Sequence, residues 1–264
     1  MPLFENIEEF QNVSPGVQWA IFIVGCLILA VAAVSIGISI WLSIKYVVYN
    51  RRNNSHFLCG HDAARMILDR NGLQNIKVSV VGSLLFGNSY SHYFHKVRLR
   101  RRTTNKPTIT SLAMGAEKSA LAILDKEGDK DMRARVILTP LIYLGPFAFI
   151  PIVFIGVVID LLFFKDYSGI ATIISAGVGL GFYVISFALS ILTLKTEKKA
   201  QVRACQILKQ EGLATDEEIE MMQKLFKLYN IQYINDIILE FLQMILKVLE
   251  IVAKVQHNSG SSSN

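Results

Sequence analysis

Residues 17–44 read VQWAIFIVGCLILAVAAVSIGISIWLSI, 28 positions without a formal charge. At 1.5 Å rise per residue a helix of that length reaches roughly 40 Å, beyond the ~30 Å hydrocarbon core of a bilayer. The stretch therefore reads as a membrane anchor. A cleaved signal sequence has an apolar core of only ~7–15 residues after a basic stretch. Here the run is far longer, and Glu5, Glu8 and Glu9 stand before it. Composition agrees: 52% of the 264 residues are hydrophobic and the mean hydropathy is +0.40, too apolar for an ordinary soluble domain.

Two further runs have the length of a span. Val136–Phe164 is apolar except for Asp160, and Ile170–Leu194 is uncharged. The fold class that follows is a multi-pass α-helical membrane protein with three transmembrane helices (17–48, 135–164, 170–194), a small cytoplasmic α+β portion (49–134) and a C-terminal helical segment (195–255). Orientation follows from Lys and Arg. Residues 1–16 hold none, whereas 51–135 hold 16 Lys/Arg against 7 Asp/Glu, a net +9. The positive-inside bias places 1–16 outside, 49–134 inside, a short external link at 165–169, and 195–264 inside, in a cell (plasma) membrane.

Within the second span Pro140, Pro146 and Pro151 each remove a backbone donor, which predicts a kinked or broken helix. In the third, Gly177 and Gly181 have the G-x-x-x-G spacing that permits close helix approach. Cys26, Cys59 and Cys205 are too few and too widely spaced for a disulfide framework or a C-x-x-C metal pair.

The soluble segments have readable punctuation. CGHDAARMILDRNGL (59–73) predicts an amphipathic helix stopped at Asn71-Gly72. IKVSVVG (76–82) alternates like a strand that turns at Gly82, and HKVRLRRR (95–102) reads as a second strand with a solvated edge. SLAMGAEKSALAIL (111–124) reads as a packed helix with a charged Glu117–Lys118 pair at its centre, and 125–135 as a charged link. Helices follow over 195–213, ending at Gly212, and from Thr215, where Glu218 completes a capping box. In 233–255 the charges Asp236, Glu240, Lys247, Glu250 and Lys254 share one face with Gln243. The cost of charge in lipid favours packing on the cytoplasmic helices, or an interfacial position, over a fourth span. Residues 256–264 read as a disordered tail.

The order of several of these stretches resembles the YugP-type membrane-bound neutral zinc metallopeptidases over roughly 55–255. The resemblance is carried by GHDAARMILDRNGL (60–73), by Gly82 and Tyr90, by Arg135 ahead of Pro140, and above all by LTLKTEKKAQVRACQILKQEGLATDEE (192–218). It implies a zinc site built from an H-E-x-x-H motif on the helix before the second span and a glutamate after the third. Two histidines one turn apart would grip the metal while the glutamate activates its water. The motif falls on Glu117, Lys118, Ser119, Ala120 and Leu121, and the third ligand on Glu197. Leu121 cannot coordinate a cation, and Lys118 repels a divalent ion where a base should stand. Asn88, Ser89, Ser91 and His92 likewise replace an Asp-His-Tyr-Asp-Pro loop.

The resemblance thus implies a metallopeptidase scaffold without catalytic residues, with no cofactor expected, acting as a binding or assembly module for membrane proteins. Its groove would lie between helices 111–124 and 195–211. Two alternatives remain: an active zinc peptidase with substituted ligands, His92 and His95 joining Glu117 and Glu197, or a lipid-organising structural protein. The basic run Arg98, Arg100, Arg101 and Arg102 matches anionic headgroups. Few stacking aromatics accompany it, so nucleic acid is not an expected partner. No P-loop, G-x-S-x-G or dinucleotide fingerprint is present.

Overall fold

The computed structural model describes residues 12–81, 87–142, 145–163 and 169–261. Of the external link (165–169) only 169 is described; Gly82, residues 1–11 and 262–264 also lie outside the described residues. The protein is mostly helical with one three-stranded sheet. It divides into two compact units: Met1–Ile36, Leu138–Ile191 and Asn235–Asn264 form one, and Gly37–Ile137 with Leu192–Ile234 the other.

Helix α1 (Pro15–Tyr49) carries the charge-free run. Among the described residues two helices, α1 and α7 (Ile170–Gln210), are long and apolar enough to cross a membrane. Of the run expected as a kinked or broken span over 135–164, the described residues form α5 (Lys130–Ile142) and α6 (Gly145–Phe163), with 143–144 and 164 outside them. Pro151 lies inside α6, and the apolar part of that helix, Ala148–Phe163, is shorter than the other two. In the first unit Asp160, fully buried on α6, accepts hydrogen bonds from the backbone of Ala171 (3.1 Å) and Thr172 (2.8 Å) and from the Thr172 hydroxyl (2.6 Å). The one acid of this apolar run is therefore the cap of the α7 N-terminus. The close approach expected at Gly177 and Gly181 is elsewhere. A Cβ at either would meet nothing within 4 Å, whereas one at Gly156 would strike Ser175 and one at Gly179 would come to 2.8 Å of Phe149.

In the second unit, α2 (Gly60–Arg70) ends where Gly72 takes φ +67° and Leu73 N–H reaches back to Leu68 O at 2.8 Å. Strands β1 (Lys77–Val81), β2 (Ser89–Ser91) and β3 (Lys96–Arg100) form a sheet of order β1-β3-β2. β1 and β3 are parallel with Lys77 opposite Lys96, and β2 runs antiparallel to β3 with Tyr90 opposite Val97. The strand expected at a solvated edge is thus the central one. It pairs with β1 along one edge and β2 along the other, while Val97 and Leu99 are fully buried and alternate with the basic residues Lys96, Arg98 and Arg100. The short α3 (Arg101–Thr104) follows directly.

Helix α4 (Ile109–Lys126) is the core element. Thr108 caps it by accepting from Ser111 N–H at 3.2 Å, and every residue from Ile109 to Leu124 is buried. Its length leaves only 127–129 as the link to α5. Ile67 and Leu68 of α2, Leu99 of β3, and Leu208, Met222 and Leu225 close around it.

The helices expected as separate pieces after the third span are continuous. No proline or glycine interrupts 182–211, so α7 runs unbroken to Gln210. There Gly212 at φ +65° and the Leu213 N–H to Leu208 O bond (2.8 Å) end it. Likewise α8 (Asp216–Ser261) joins the predicted 215–230 and 233–255 helices and continues into the segment expected as a disordered tail. Its capping box is present: Thr215 Oγ1 accepts from Glu218 N–H (3.3 Å) and Glu218 accepts from Thr215 N–H (2.8 Å). Glu218 also accepts from the Ser55 N–H (2.6 Å) and hydroxyl (2.9 Å), which ties the loop after α1 to α8.

Two outcomes follow. α2 and α4 cross backbone to backbone, and a Cβ at Gly115 would sit 2.5 Å from Gly60 O. Gly115→Ala is expected to cost about 1–3 kcal/mol of unfolding free energy by thermal or denaturant melting. Burial alone would raise the Glu218 carboxyl, but the bonds from Thr215 and Ser55 hold it below the ordinary glutamate value. A depressed native carboxyl adds stability above its unfolded pKa and loses it as pH falls through the native one. Melting temperatures below about pH 4.3 should therefore fall more steeply for the native chain than for Glu218→Gln, which lacks the carboxylate.

Candidate functional site

The middle of α4 places Glu117 and Lys118 against one face of α7. Glu197 and Gln201, four residues apart on α7, turn the same way. Lys118 Nζ lies 2.7 Å from Glu197 Oε2 and 3.2 Å from Glu117 Oε2. Arg135 of α5 donates to Glu197 Oε1 at 2.8 Å and to the Thr196 hydroxyl at 2.7 Å. Gln201 Nε2 donates to Glu117 Oε1 (2.9 Å), and Asn230 Nδ2 of α8 donates to Gln201 Oε1 (2.8 Å). Glu117, Lys118 and Glu197 are 4%, 6% and 3% exposed. They are ionisable groups removed from water and compensated by one another, by Arg135 and by the Gln201 amide.

Burial works against the Lys118 ammonium, yet the carboxylates of Glu117 and Glu197 outweigh it and push the pKa above the ordinary lysine value. Glu197 is held below the usual glutamate range: desolvation opposes ionisation, and the two cations Lys118 and Arg135 overcome it. Glu117 goes the other way, since desolvation dominates over its share of Lys118. Burial, with Glu117 nearby, pushes the Cys205 thiol up to about 11, so it is no nucleophile at neutral pH. Beside the cluster lies a cavity of about 190 Å³, lined by Lys118, Glu117, Arg100, Tyr46, Tyr229 and Tyr233 among others.

The sequence-predicted residues are only partly brought together. Glu117, Lys118 and Glu197 meet. Leu121, 1% exposed, is a core residue. His92 and His95 stand close (ring centroids 5.9 Å), because His95 at φ +47° closes a tight turn on His92 O. His92 Nδ1 lies 2.6 Å from Asp125, which also accepts from the Tyr90 hydroxyl at 2.6 Å. The two glutamates proposed to join these histidines are bonded to Lys118 instead, and among the described residues no three His, Cys, Asp or Glu side chains converge as a metal site. The basic run is split. Arg98 stacks on the Phe94 ring at 5.3 Å, Arg100 reaches the cavity, and Arg101 and Arg102 are exposed at the start of α3. The groove expected between helices 111–124 and 195–211 is occupied by these direct side-chain bonds. The open concavity, about 620 Å³, lies on another side of α7, between it and α8.

Arg135, Gln201, Thr196 and Asn230 were not anticipated as members of the site. The i, i+4 spacing of Glu197 and Gln201 was a usable signal. Arg135, 62 residues from Glu197 in the chain, offered no spacing signal and stood out only as a position of the family resemblance.

The sequence profile of the family described as "Putative neutral zinc metallopeptidase" matches residues 21–252. The chain belongs to that family. No curated protein and no solved structure matches it. The residues present do not fit the family's zinc ion. Zinc is held by about four nitrogen, sulfur or oxygen donors at roughly 2.0–2.3 Å. The two carboxylates here close on an ammonium that already fills the space between them, and no imidazole or thiolate completes a donor set among the described residues.

Removing Lys118 leaves two buried carboxylates facing Arg135 alone. Lys118→Met should cost about 3–5 kcal/mol of unfolding free energy. Adding Glu117→Gln to it should recover part of that loss, because the surviving Arg135–Glu197 pair is balanced; equal stability of single and double variants in denaturant titrations would contradict the pairing.

Proposed function

We propose that this chain is a non-hydrolytic member of its family: a multi-pass protein of the cell membrane that binds segments of other membrane proteins on a retained peptidase scaffold. One observation carries the reading: the Lys118 ammonium, 2.7 Å from Glu197 and 3.2 Å from Glu117, stands where the resemblance puts the general base between metal ligands. An ammonium repels a divalent cation, has no vacant coordination position, and takes up no proton while charged. The charge that holds the helices together is supplied by the chain itself.

The membrane part of the reading rests on α1 and α7, which have the length and hydropathy to cross. With the 135–164 segment as a further crossing, the positive-inside bias puts the N-terminus outside and 49–134 in the cytoplasm. The binding surface that suits the reading is the concavity between α7 and α8. Cys205, Ile219 and Phe226 give it a buried apolar floor, and the exposed Val202, Lys198 and Lys227 stand at its rim. An amphipathic segment with acidic flanks matches that pattern.

The test is metal content and cleavage, measured on the same purified preparation. Zinc well below one equivalent, with no chelator-sensitive cleavage of an unfolded membrane protein, is the expected result. Stoichiometric zinc that disappears in Glu197→Ala would establish the rival reading, an active peptidase with substituted ligands.

A further inference from the structure

The second half of α8 carries both charges and large exposed apolar residues, and its contacts show which surroundings it is built for. In the first unit Glu240 Oε2 accepts from the Ser190 hydroxyl (2.7 Å) and Gln243 Oε1 from the Tyr183 hydroxyl (3.1 Å). Phe241 lies against Phe187 with ring centroids 5.5 Å apart. Further on, Lys247, Glu250, Ile251 and Lys254 line one small cavity with Thr172 and Ala176. As α8 ascends from 240 to 254, α7 descends from 190 to 172. The two helices are antiparallel neighbours over the whole uncharged run of α7.

In the same unit Ser14, just before α1, donates its N–H to Gln256 Oε1 of α8 at 2.9 Å. The stretch 232–256 is roughly 36 Å of helix, enough to span the ~30 Å hydrocarbon layer.

We infer that residues 232–256 cross the membrane alongside α1 and α7 as a further span, with the polar stripe turned to protein and the opposite face to lipid acyl chains. This rests on the reading of α1 and α7 as membrane-crossing helices. It replaces the cytoplasmic or interfacial placement expected from the charges. Ionisable groups in a bilayer are held by polar partners in the bundle. Lys247 pairs with Glu250 at 2.7 Å and lies 5.7 Å from the Phe149 ring, Glu240 has its serine, and Gln243 has its tyrosine. Lys254 and Asp236, near the two ends, are within reach of the headgroups. The lipid face is Ile238, Phe241, Val248, Val252 and Val255, each 37–45% exposed. An amphipathic helix lying on water would leave its charges, not these side chains, without cover.

The consequence is topological: the C-terminal end of α8 emerges on the same side as the start of α1, opposite residues 50–134. Single cysteines at Asn6, Asn105 and Ser259, in a chain whose Cys26, Cys59 and Cys205 are replaced by alanine, would be probed in intact cells with a membrane-impermeant maleimide. Labelling of Asn6→Cys and Ser259→Cys before permeabilisation, and of Asn105→Cys only after it, is the expected pattern. Ser259→Cys behaving like Asn105→Cys overturns the inference while leaving α1 and α7 as spans. Release of the whole chain by alkaline carbonate overturns both. If the cysteine-free chain does not accumulate, reporters fused after residue 261 of the native sequence, one active only in the cytoplasm and one only outside, decide the same question.

Discussion

The Lys118 ammonium is the constraint around which the second unit is arranged. Glu117, Lys118, Glu197 and Arg135 are two cations and two anions from α4, α5 and α7, the first three buried and Arg135 partly so, each bonded to at least one of opposite sign. Burying any one alone would cost several kcal/mol. The set is tolerable only in one register, since sliding α4 or α7 by a turn would strand a charge in the apolar core of Leu112, Ala120 and Leu208. The small side chains of Ala116, Ala120, Ala200 and Ala204 are all buried in that same core and leave room for the cluster. Sterics and electrostatics thus select the same helix register.

On the proposed non-hydrolytic reading, such a centre would let a metallopeptidase scaffold persist without its metal. Zinc in a family site neutralises glutamate and cross-links helices as well as activating water. An ammonium reproduces the first two effects and none of the third. Its three N–H donors suit two carboxylates, but it has no ligand position to exchange and does not polarise water as a dication does. Gln201 and Asn230 extend the network outwards toward α8 by neutral amide bonds. The result is a polar core whose members are bound to one another.

Legibility in the sequence followed the range of the interactions concerned. Local signals were strong: the left-handed stop at Gly72, the Thr215–Glu218 capping box and the apolar runs of α1 and α7 depend on residues within a turn of one another or on composition alone. β3 was visible as a strand but misplaced at an edge, because the parallel partner that covers it, β1, is 19 residues away. The helix boundaries expected at 195 and between 230 and 233 rested on a change of composition. Backbone hydrogen bonding is indifferent to that change when no proline or glycine intervenes. The candidate site was legible on α4 and at Glu197 only through the family pattern. Arg135 and Asn230 reach it through tertiary contacts that no spacing announces, and the His92–His95 pair was drawn instead to Asp125.

The charges in the apolar helices obey a different rule from the one at Lys118, and the contrast locates them. Asp160 is answered by two backbone N–H groups and a hydroxyl at the start of α7, Glu240 by a serine and Gln243 by a tyrosine. Most of these partners are neutral donors that a helix offers without burying a second charge; Lys247–Glu250 is the ion pair among them. Counting charges along a window treats all such residues as equally hostile to a bilayer. What decides is whether the facing helix presents a donor at the matching height. Along α7 hydroxyls stand at 172, 183 and 190. That ladder gives a polar face the means to lie within an apolar layer, and a stripe that looks wrong for a span in isolation becomes a fit once its neighbour is known.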